Sequence, residues 1–299
     1  MIKPTMNKSL KELSSMKTGG CASVCYFPEN ENELVDIIKK LNQENKKYTV
    51  LGNMSNVLIP DCGMSVPVII TTSMKDVVVT QNMDETVTVY AESGVSFTKL
   101  AFDMCKRGFT GLEFAYGIPG SVGGAVYMNA GAYGGEAKDV ITKVRACDKS
   151  GSIVEFTNED CEFDYRKSKF VINEYVILGA EFVLKRANAD DCIKNAKEIM
   201  QKRIDKQPLE YPSCGSTFKR PQGYFAGKLI QDSGLMGFSV GGAAVSEKHA
   251  GFVINKNNAT TEDVLALMRK IRVTVEEKFG VVLEEEIKLL DENGEVFKL

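Results

Sequence analysis

The chain predicts an α+β fold of more than one domain. Strand-like and helix-like runs follow one another without the strict β-α-β alternation of a parallel sheet. At 299 residues, with 43% hydrophobic and 26% charged side chains, the chain is long enough for two cored domains. Pro208 and Pro212 punctuate the sequence behind a helical run, which marks a boundary near residues 188–212. Lysines and arginines are mixed among carboxylates at a net charge of −3, so broad nucleic-acid binding is not expected, with room for one local basic pocket. No run approaches the ~18 apolar residues of a membrane span, and the first residues lack the apolar core of a signal peptide. The eight cysteines show no zinc spacing and read as reduced, mostly buried thiols, with no metal site expected. His249 is the only histidine, which excludes multi-histidine chemistry.

The elements read in order as follows. Ala22–Phe27 is a β-prone run. Asn30 is a helix N-cap with Glu33 at the capping-box position, and Leu34, Val35, Ile37, Ile38 and Leu41 form the apolar face. Tyr48–Leu51 and Val57–Ile59 are strands around Gly52-Asn-Met-Ser-Asn56, which is either a plain turn or a set of N–H and amide donors facing a phosphate. Val66–Thr71, Val77–Thr80 and Val87–Ala91 are strands, the last two joined by a turn at Asn82–Glu85. Ser96 caps a helix running through Arg107. Strands return at Ile141–Cys147, Ile153–Phe156 and Val176–Leu184, and Asp190–Lys206 is a helix. Leu229–Gly234 is helix-like. Thr260 with Asp263 opens an amphipathic helix along Val264, Leu267, Met268, Ile271 and Val275, which Gly280 ends. Val281–Leu290 alternates as a strand before a tight turn at Asn293-Gly294.

Glycine concentrates in residues 111–135. Without Cβ, the backbone there can approach a ligand closely, and successive N–H groups suit a pyrophosphate. Gly117, Gly120 and Gly123 follow a G-x-x-G-x-x-G rhythm, not G-x-G-x-x-G, so a dinucleotide held here would sit on a fold other than the Rossmann one. Arg166 is either a surface charge or a planar fork for a carboxylate or a developing enolate. Ser216 is a turn residue or a reactive hydroxyl, outside any G-x-S-x-G elbow. Cys214 as a nucleophile would have only His249 for a partner. Glu284-Glu-Glu286 is a solvated run, or holds one buried carboxyl that donates a proton. His249 reads equally as a loop residue and as a polar ligand.

Several motifs in order resemble the UDP-N-acetylenolpyruvoylglucosamine reductase (MurB) family. They are Gly52–Asn56, Gly111–Phe114, Gly117–Ala125, Met128–Gly134, Tyr165–Ser168, Pro212–Pro221, Phe225–Ile230 and Lys248–Phe252. The match runs from residue 16 to the C-terminus, and the continuous run 165–185 is similar to the shorter subtype. The resemblance implies a PCMH-type FAD-binding domain over 1–187, in lobes of 1–72 and 73–187. A substrate-binding domain over 188–299 would follow, its last strand free to return to the first lobe. It implies that NADPH reduces FAD, and that the flavin reduces the enolpyruvyl ether of UDP-N-acetylglucosamine to UDP-N-acetylmuramate, for peptidoglycan synthesis in the cytoplasm. Gly52, Asn53, Ser55, Asn56, Gly117, Ile118, Gly120, Ser121, Gly123, Gly124, Asn129, Ala130 and Gly131 would line the FAD. Tyr165, Lys219, Arg220 and His249 would touch substrate, the two cations near its pyrophosphate. Hydride addition to the enolpyruvyl group leaves an enolate, which Arg166 and Glu286 would stabilise and Ser216 would protonate. Lys288 stands where the family more often has arginine. Two other readings stay open at this point: a PCMH-type oxidase of alcohols or sugars, and a non-enzymatic nucleotide-binding module.

Overall fold

The computed structural model describes residues 2–172 and 175–299, so part of the run 165–185 lies outside the described residues. The chain divides into two compact units. The first comprises the residues up to Pro4, Tyr26–Asn53 and Val68–Lys202, and the second Thr5–Cys25, Met54–Pro67 and Arg203–Leu299. The division is thus more interleaved than a single cut at 187/188.

In the first unit, α1 (Glu31–Gln43) starts at Asn30, whose Oδ1 accepts the Glu33 N–H at 3.1 Å. The Glu33 carboxylate takes the Glu29 N–H at 2.7 Å, so the reciprocal half of the expected capping box is displaced by one residue. Thr49–Leu51 and Val68–Ile70 pair in parallel. The main sheet is antiparallel, in the order Ile153–Thr157, Ile141–Asp148, Tyr175–Arg186, Thr86–Glu92, Val77–Gln81. Val87, Val89 and Ala91 alternate inward onto one core with Phe97, Phe114 and Phe182. Phe97 belongs to α2 (Phe97–Lys106), which Ser96 caps as expected. A third helix, α3 (Val122–Met128), lies inside the glycine-rich segment, where glycine lowers helix propensity. It forms because Ser121 caps it and Val122, Ala125, Val126 and Met128 are all buried. Burial outweighs propensity here. α4 (Ala189–Lys206) packs Cys192 and Ala196 on Cys105 of α2.

The second unit packs α5 (Ala226–Asp232) and α6 (Thr261–Phe279) on short strands. Ser239–Val240, Ala243–Val245 and Val253–Asn255 form an antiparallel meander. Lys288–Leu290 pairs in parallel with Val57–Leu58 and antiparallel with Val296–Phe297. The capping box Thr260/Asp263 opens α6 and Gly280, at φ 66°, closes it. The Asp61 carboxylate accepts the Thr261 and Glu262 N–H groups at 2.9 and 3.0 Å, and Thr261 Oγ1 donates to Ile59 O. An anionic side chain on a helix N-terminus is favourable, and this is why 54–67 belongs with the C-terminal part. The expected strand Val281–Leu290 is a ladder only from Lys288, preceded by an isolated bridge between Glu285 and Phe218. Its inward alternation survives because Leu283, Ile287 and Leu289 fill the core.

Candidate active site

The expected site residues fall in both units. Gly52, Asn53, the 117–131 residues, Tyr165 and Arg166 belong to the first, and Ser55, Asn56, Ser216, Lys219, Arg220, His249 and Glu286 to the second.

In the first unit, the loops at 52–53 and 119–121 meet. Asn53 Nδ2 donates to Pro119 O, and a Cβ on Gly52 would collide with Ser121 Oγ. The expectation that the glycine run offers its N–H groups generally to a phosphate needs correction. Gly117 N–H donates to Thr98 Oγ1, Ile118 to Ala115 O, Gly123 to Ser93 O, Gly124 to Ser121 Oγ and Ala130 to Ala125 O. Among the described residues, the N–H groups of Asn53, Gly120 and Ser121 have no protein acceptor. Ser121 is buried while Asn53 is exposed and Gly120 partly so, and these donors on adjoining loops fit the pyrophosphate of a dinucleotide.

Arg166 sits at the corner of a tight turn. Asp164 N–H donates to Lys167 O at 3.0 Å and Lys167 N–H to Asp164 O at 3.2 Å. Its φ is 54°, a left-handed conformation that costs a non-glycine residue about 1–2 kcal/mol. Such conformations persist where surrounding contacts over-determine them. Here the guanidinium donates to Gly131 O at 3.1 Å and lies over the Tyr165 ring at 5.0 Å. Behind it, the buried Ser168 hydroxyl donates to Tyr127 O at 2.8 Å. Asn129, expected against the cofactor, is fully buried, and its amide is committed to Glu136, Asp164 and Lys138. Burial alone would raise the Glu136 carboxyl. Bonds from Lys138 and Asn129, with the Lys138 and Arg166 charges, outweigh it and hold that carboxyl below its ordinary range.

In the second unit, Thr217 joins the segments that carry Ser216, His249 and Glu286. It is fully buried. Its N–H donates to Gly251 O at 2.9 Å, its Oγ1 accepts the Val253 N–H at 3.0 Å, and its O accepts the Glu286 N–H at 2.9 Å. Asn56 holds the other side of Glu286: Nδ2 donates to Glu286 O at 3.1 Å, and Asn56 O accepts the Lys288 N–H at 3.0 Å. The three neighbouring carboxylates therefore differ in role. Glu284 pairs with Lys219 at 3.2 Å in an exposed contact, and Glu285 pairs with Arg272 of α6 at 2.7 Å while nearly buried. The backbone of Glu286 is held by Thr217 O on one side and by the Asn56 amide on the other. Lys288, two residues on, is held below the usual lysine range by burial and by the Lys219 charge, against the opposing pull of Glu286.

The Arg220 guanidinium lies 4.0 Å from the Phe225 ring centre. His249 Nδ1 accepts the Gly251 N–H at 3.1 Å, so the ring is neutral with its proton on Nε2, and burial lowers its pKa. Cys214 is no nucleophile: burial pushes its thiol up to about 12, and Sγ faces Val57 O at 3.3 Å. Sequence reasoning missed Thr217. Its only signal is a β-branched hydroxyl wedged between Ser216 and Phe218.

Two family models match the chain. Residues 22–157 match an FAD binding domain, and residues 207–290 match the C-terminal domain of UDP-N-acetylenolpyruvoylglucosamine reductase. The UDP-N-acetylenolpyruvoylglucosamine reductase of Caldanaerobacter subterraneus is 45% identical over 287 residues, covering 96% of this chain and 93% of that protein. The chain belongs to the UDP-N-acetylenolpyruvoylglucosamine reductase family. A relative of the same description from Oceanobacillus iheyensis is 47% identical over 93% of the chain and 89% of its own length. Among solved structures, the reductase of Thermus caldophilus superposes with a TM-score of 0.80 at 30% identity, covering 97% of this chain and 99% of that one. The chain is therefore an FAD-dependent oxidoreductase of the PCMH-type α+β class. Among the described residues, no helix of this reductase is long and apolar enough to cross a membrane.

Proposed function

We propose that Arg166, Ser216 and Glu286 carry the chemistry of this reductase. The enzyme reduces the enolpyruvyl ether of UDP-N-acetylglucosamine to the lactyl ether of UDP-N-acetylmuramate, a precursor of peptidoglycan, with NADPH as reductant. Bound FAD supplies the hydride chemistry, and the residues of this chain supply binding, charge and the proton. The Asn53, Gly120 and Ser121 N–H groups would hold the FAD pyrophosphate, and Gly124, with only an ordinary contact beside it, would let the backbone come close to it, while Gly52 and Gly123 make room for Ser121 and Ser93 of the protein itself. Hydride addition to an enolpyruvyl group is a conjugate addition that leaves an enolate spread over its carboxylate. A guanidinium fixed in advance, as Arg166 is, stabilises that charge without reorganising. Glu286 is assigned the same role. Ser216 delivers the proton to the enolate carbon, a task a weak acid can perform because the enolate is basic. Lys219 and Arg220 meet the substrate diphosphate. The exposed Lys219–Glu284 pair is worth at most ~1 kcal/mol and so exchanges readily for a phosphate. Tyr165 and His249 complete the substrate contacts. All eight cysteines are free, which supports a reducing compartment, the cytoplasm.

What supports the assignment most is Thr217, whose bonds fix Ser216 and Glu286 in one framework. Ser216→Ala tests it by half-reaction. NADPH should reduce the variant's FAD at the normal rate, and reoxidation by the enolpyruvyl nucleotide should slow by at least ~10²-fold, the scale of general acid catalysis. Equal slowing of both half-reactions would refute the role.

A further inference from the structure

The Asn129–Glu136 arm of the glycine-rich segment faces the turn that bears Arg166. Asn129 terminates α3 in a left-handed conformation, φ 42°, and is fully buried. One amide nitrogen serves two acceptors, Glu136 Oε2 at 3.0 Å and Asp164 O at 3.1 Å, and its Oδ1 accepts the Lys138 N–H at 3.0 Å. Its backbone N–H is taken by Val126 O. All its polar groups but the carbonyl are thereby engaged with the fold, which leaves no donor for a cofactor. Asp164 is the first residue of the Arg166 turn. Glu136 pairs in register with Gly131, whose carbonyl accepts the Arg166 guanidinium. Lys138 Nζ pairs with the same Glu136 oxygen, Oε2, at 2.9 Å.

We infer that Asn129, together with Glu136, is a positioning residue for Arg166 and not a ligand of the flavin. The amide ties the turn's first carbonyl to the end of α3, and the hairpin 131–136 presents the carbonyl that receives the guanidinium. A left-handed arginine needs such bracing, and the bracing comes from the segment that also approaches the cofactor. The inference rests on Arg166 acting in the reduction of the enolpyruvyl substrate.

Asn129→Gly is the test, because glycine accepts the left-handed backbone while losing the amide. The variant should keep its flavin spectrum and its rate of reduction by NADPH. Its reoxidation by the enolpyruvyl nucleotide should fall ~10–100-fold, the cost of a displaced catalytic group. The decisive readout is a double-mutant cycle. In the Arg166→Ala background, Asn129→Gly should slow reoxidation by less than ~2-fold, because both changes remove one function. Independent, multiplying losses would overturn the inference, as would loss of FAD from Asn129→Gly with normal reoxidation of the flavin that stays bound. Glu136→Gln, on a half-exposed side chain, carries the same cycle if Asn129→Gly does not fold. Normal reoxidation in Arg166→Ala alone overturns the role of Arg166 and this inference with it. Slowed Arg166→Ala with a normal Asn129→Gly overturns only the inference.

Discussion

Gly123 and Gly124 are adjacent in α3, yet alanine at each should act in opposite directions on the stability of the apoprotein. At Gly123 a Cβ would stand 2.9 Å from Ser93 Cβ and 3.2 Å from Ser93 O, where carbon neighbours prefer roughly 3.5–4.0 Å. Ser93 is buried and its N–H is bound to Leu178 O, so it cannot swing aside. The helix must shift outward and stretch the 2.8 Å bond from Gly123 N–H to Ser93 O. Overpacking of this kind costs about 1–3 kcal/mol, against a helix-propensity gain of about 1 kcal/mol for replacing glycine. Gly123→Ala should leave the melting temperature unchanged or lower it by up to ~4–6 °C. At Gly124 the nearest atom to a Cβ is Ser121 Oγ at 3.5 Å, an ordinary contact, and the site is exposed. The propensity gain then stands alone, and the apoprotein should melt ~2–4 °C higher. On the placement proposed for the cofactor, the same Cβ would intrude on it, and FAD should bind at least ~10-fold more weakly, about 1.4 kcal/mol. Thermal unfolding of flavin-free protein and fluorescence titration with FAD measure the two effects separately. A stabilised Gly123→Ala would refute the packing argument. Unchanged FAD affinity in Gly124→Ala would refute the placement of the cofactor.

Two further outcomes follow from the second unit. The unfolded-state pKa of His249 is near 6.5 and its folded pKa is lower, so the unfolded chain binds more protons between the two values. Stability should be full above about pH 7 and decline as pH falls through 6.5 toward the folded pKa, below which this contribution is flat. His249→Gln should remove that component of the profile in chemical-denaturation curves taken from pH 8 to 5, and an unchanged profile would contradict a buried neutral ring. Cys21 and Cys62, both exposed, should be alkylated in the native protein, and Cys214 only after unfolding, as read by mass spectrometry of labelled peptides. Native labelling of Cys214 would show that its surroundings open.

Much of the local structure was legible because it depends on neighbours in sequence. Asn30, Ser96 and Thr260 cap helices at their own positions, and the apolar stripes of α1, α2 and α6 are the buried ones. Motif order carried the family and its cofactor. Where reading failed, long-range contacts decided. α3 forms among glycines because Val122 and Val126 find a core, which no local propensity records. Val281–Leu290 has strand alternation but finds a ladder partner only at its end. The roles of similar residues also separate only in three dimensions. Glu284, Glu285 and Glu286 are indistinguishable as letters, and Lys219, Arg272 and the Thr217 backbone tell them apart.

By itself, the sequence determined where α1, α2 and α6 begin, which of their faces are apolar, and which residue types stand ready for a flavin, an enolate and a proton. Only the tertiary structure decided which N–H groups of the glycine run are committed to the fold and which have no protein acceptor. It alone placed Asn129 behind Arg166 and Thr217 behind Ser216. The reason is physical: a hydrogen bond commits a donor to whichever acceptor the packed chain brings within about 3 Å, and residues distant in sequence, such as Thr98 for Gly117 and Ser93 for Gly123, supply part of these acceptors.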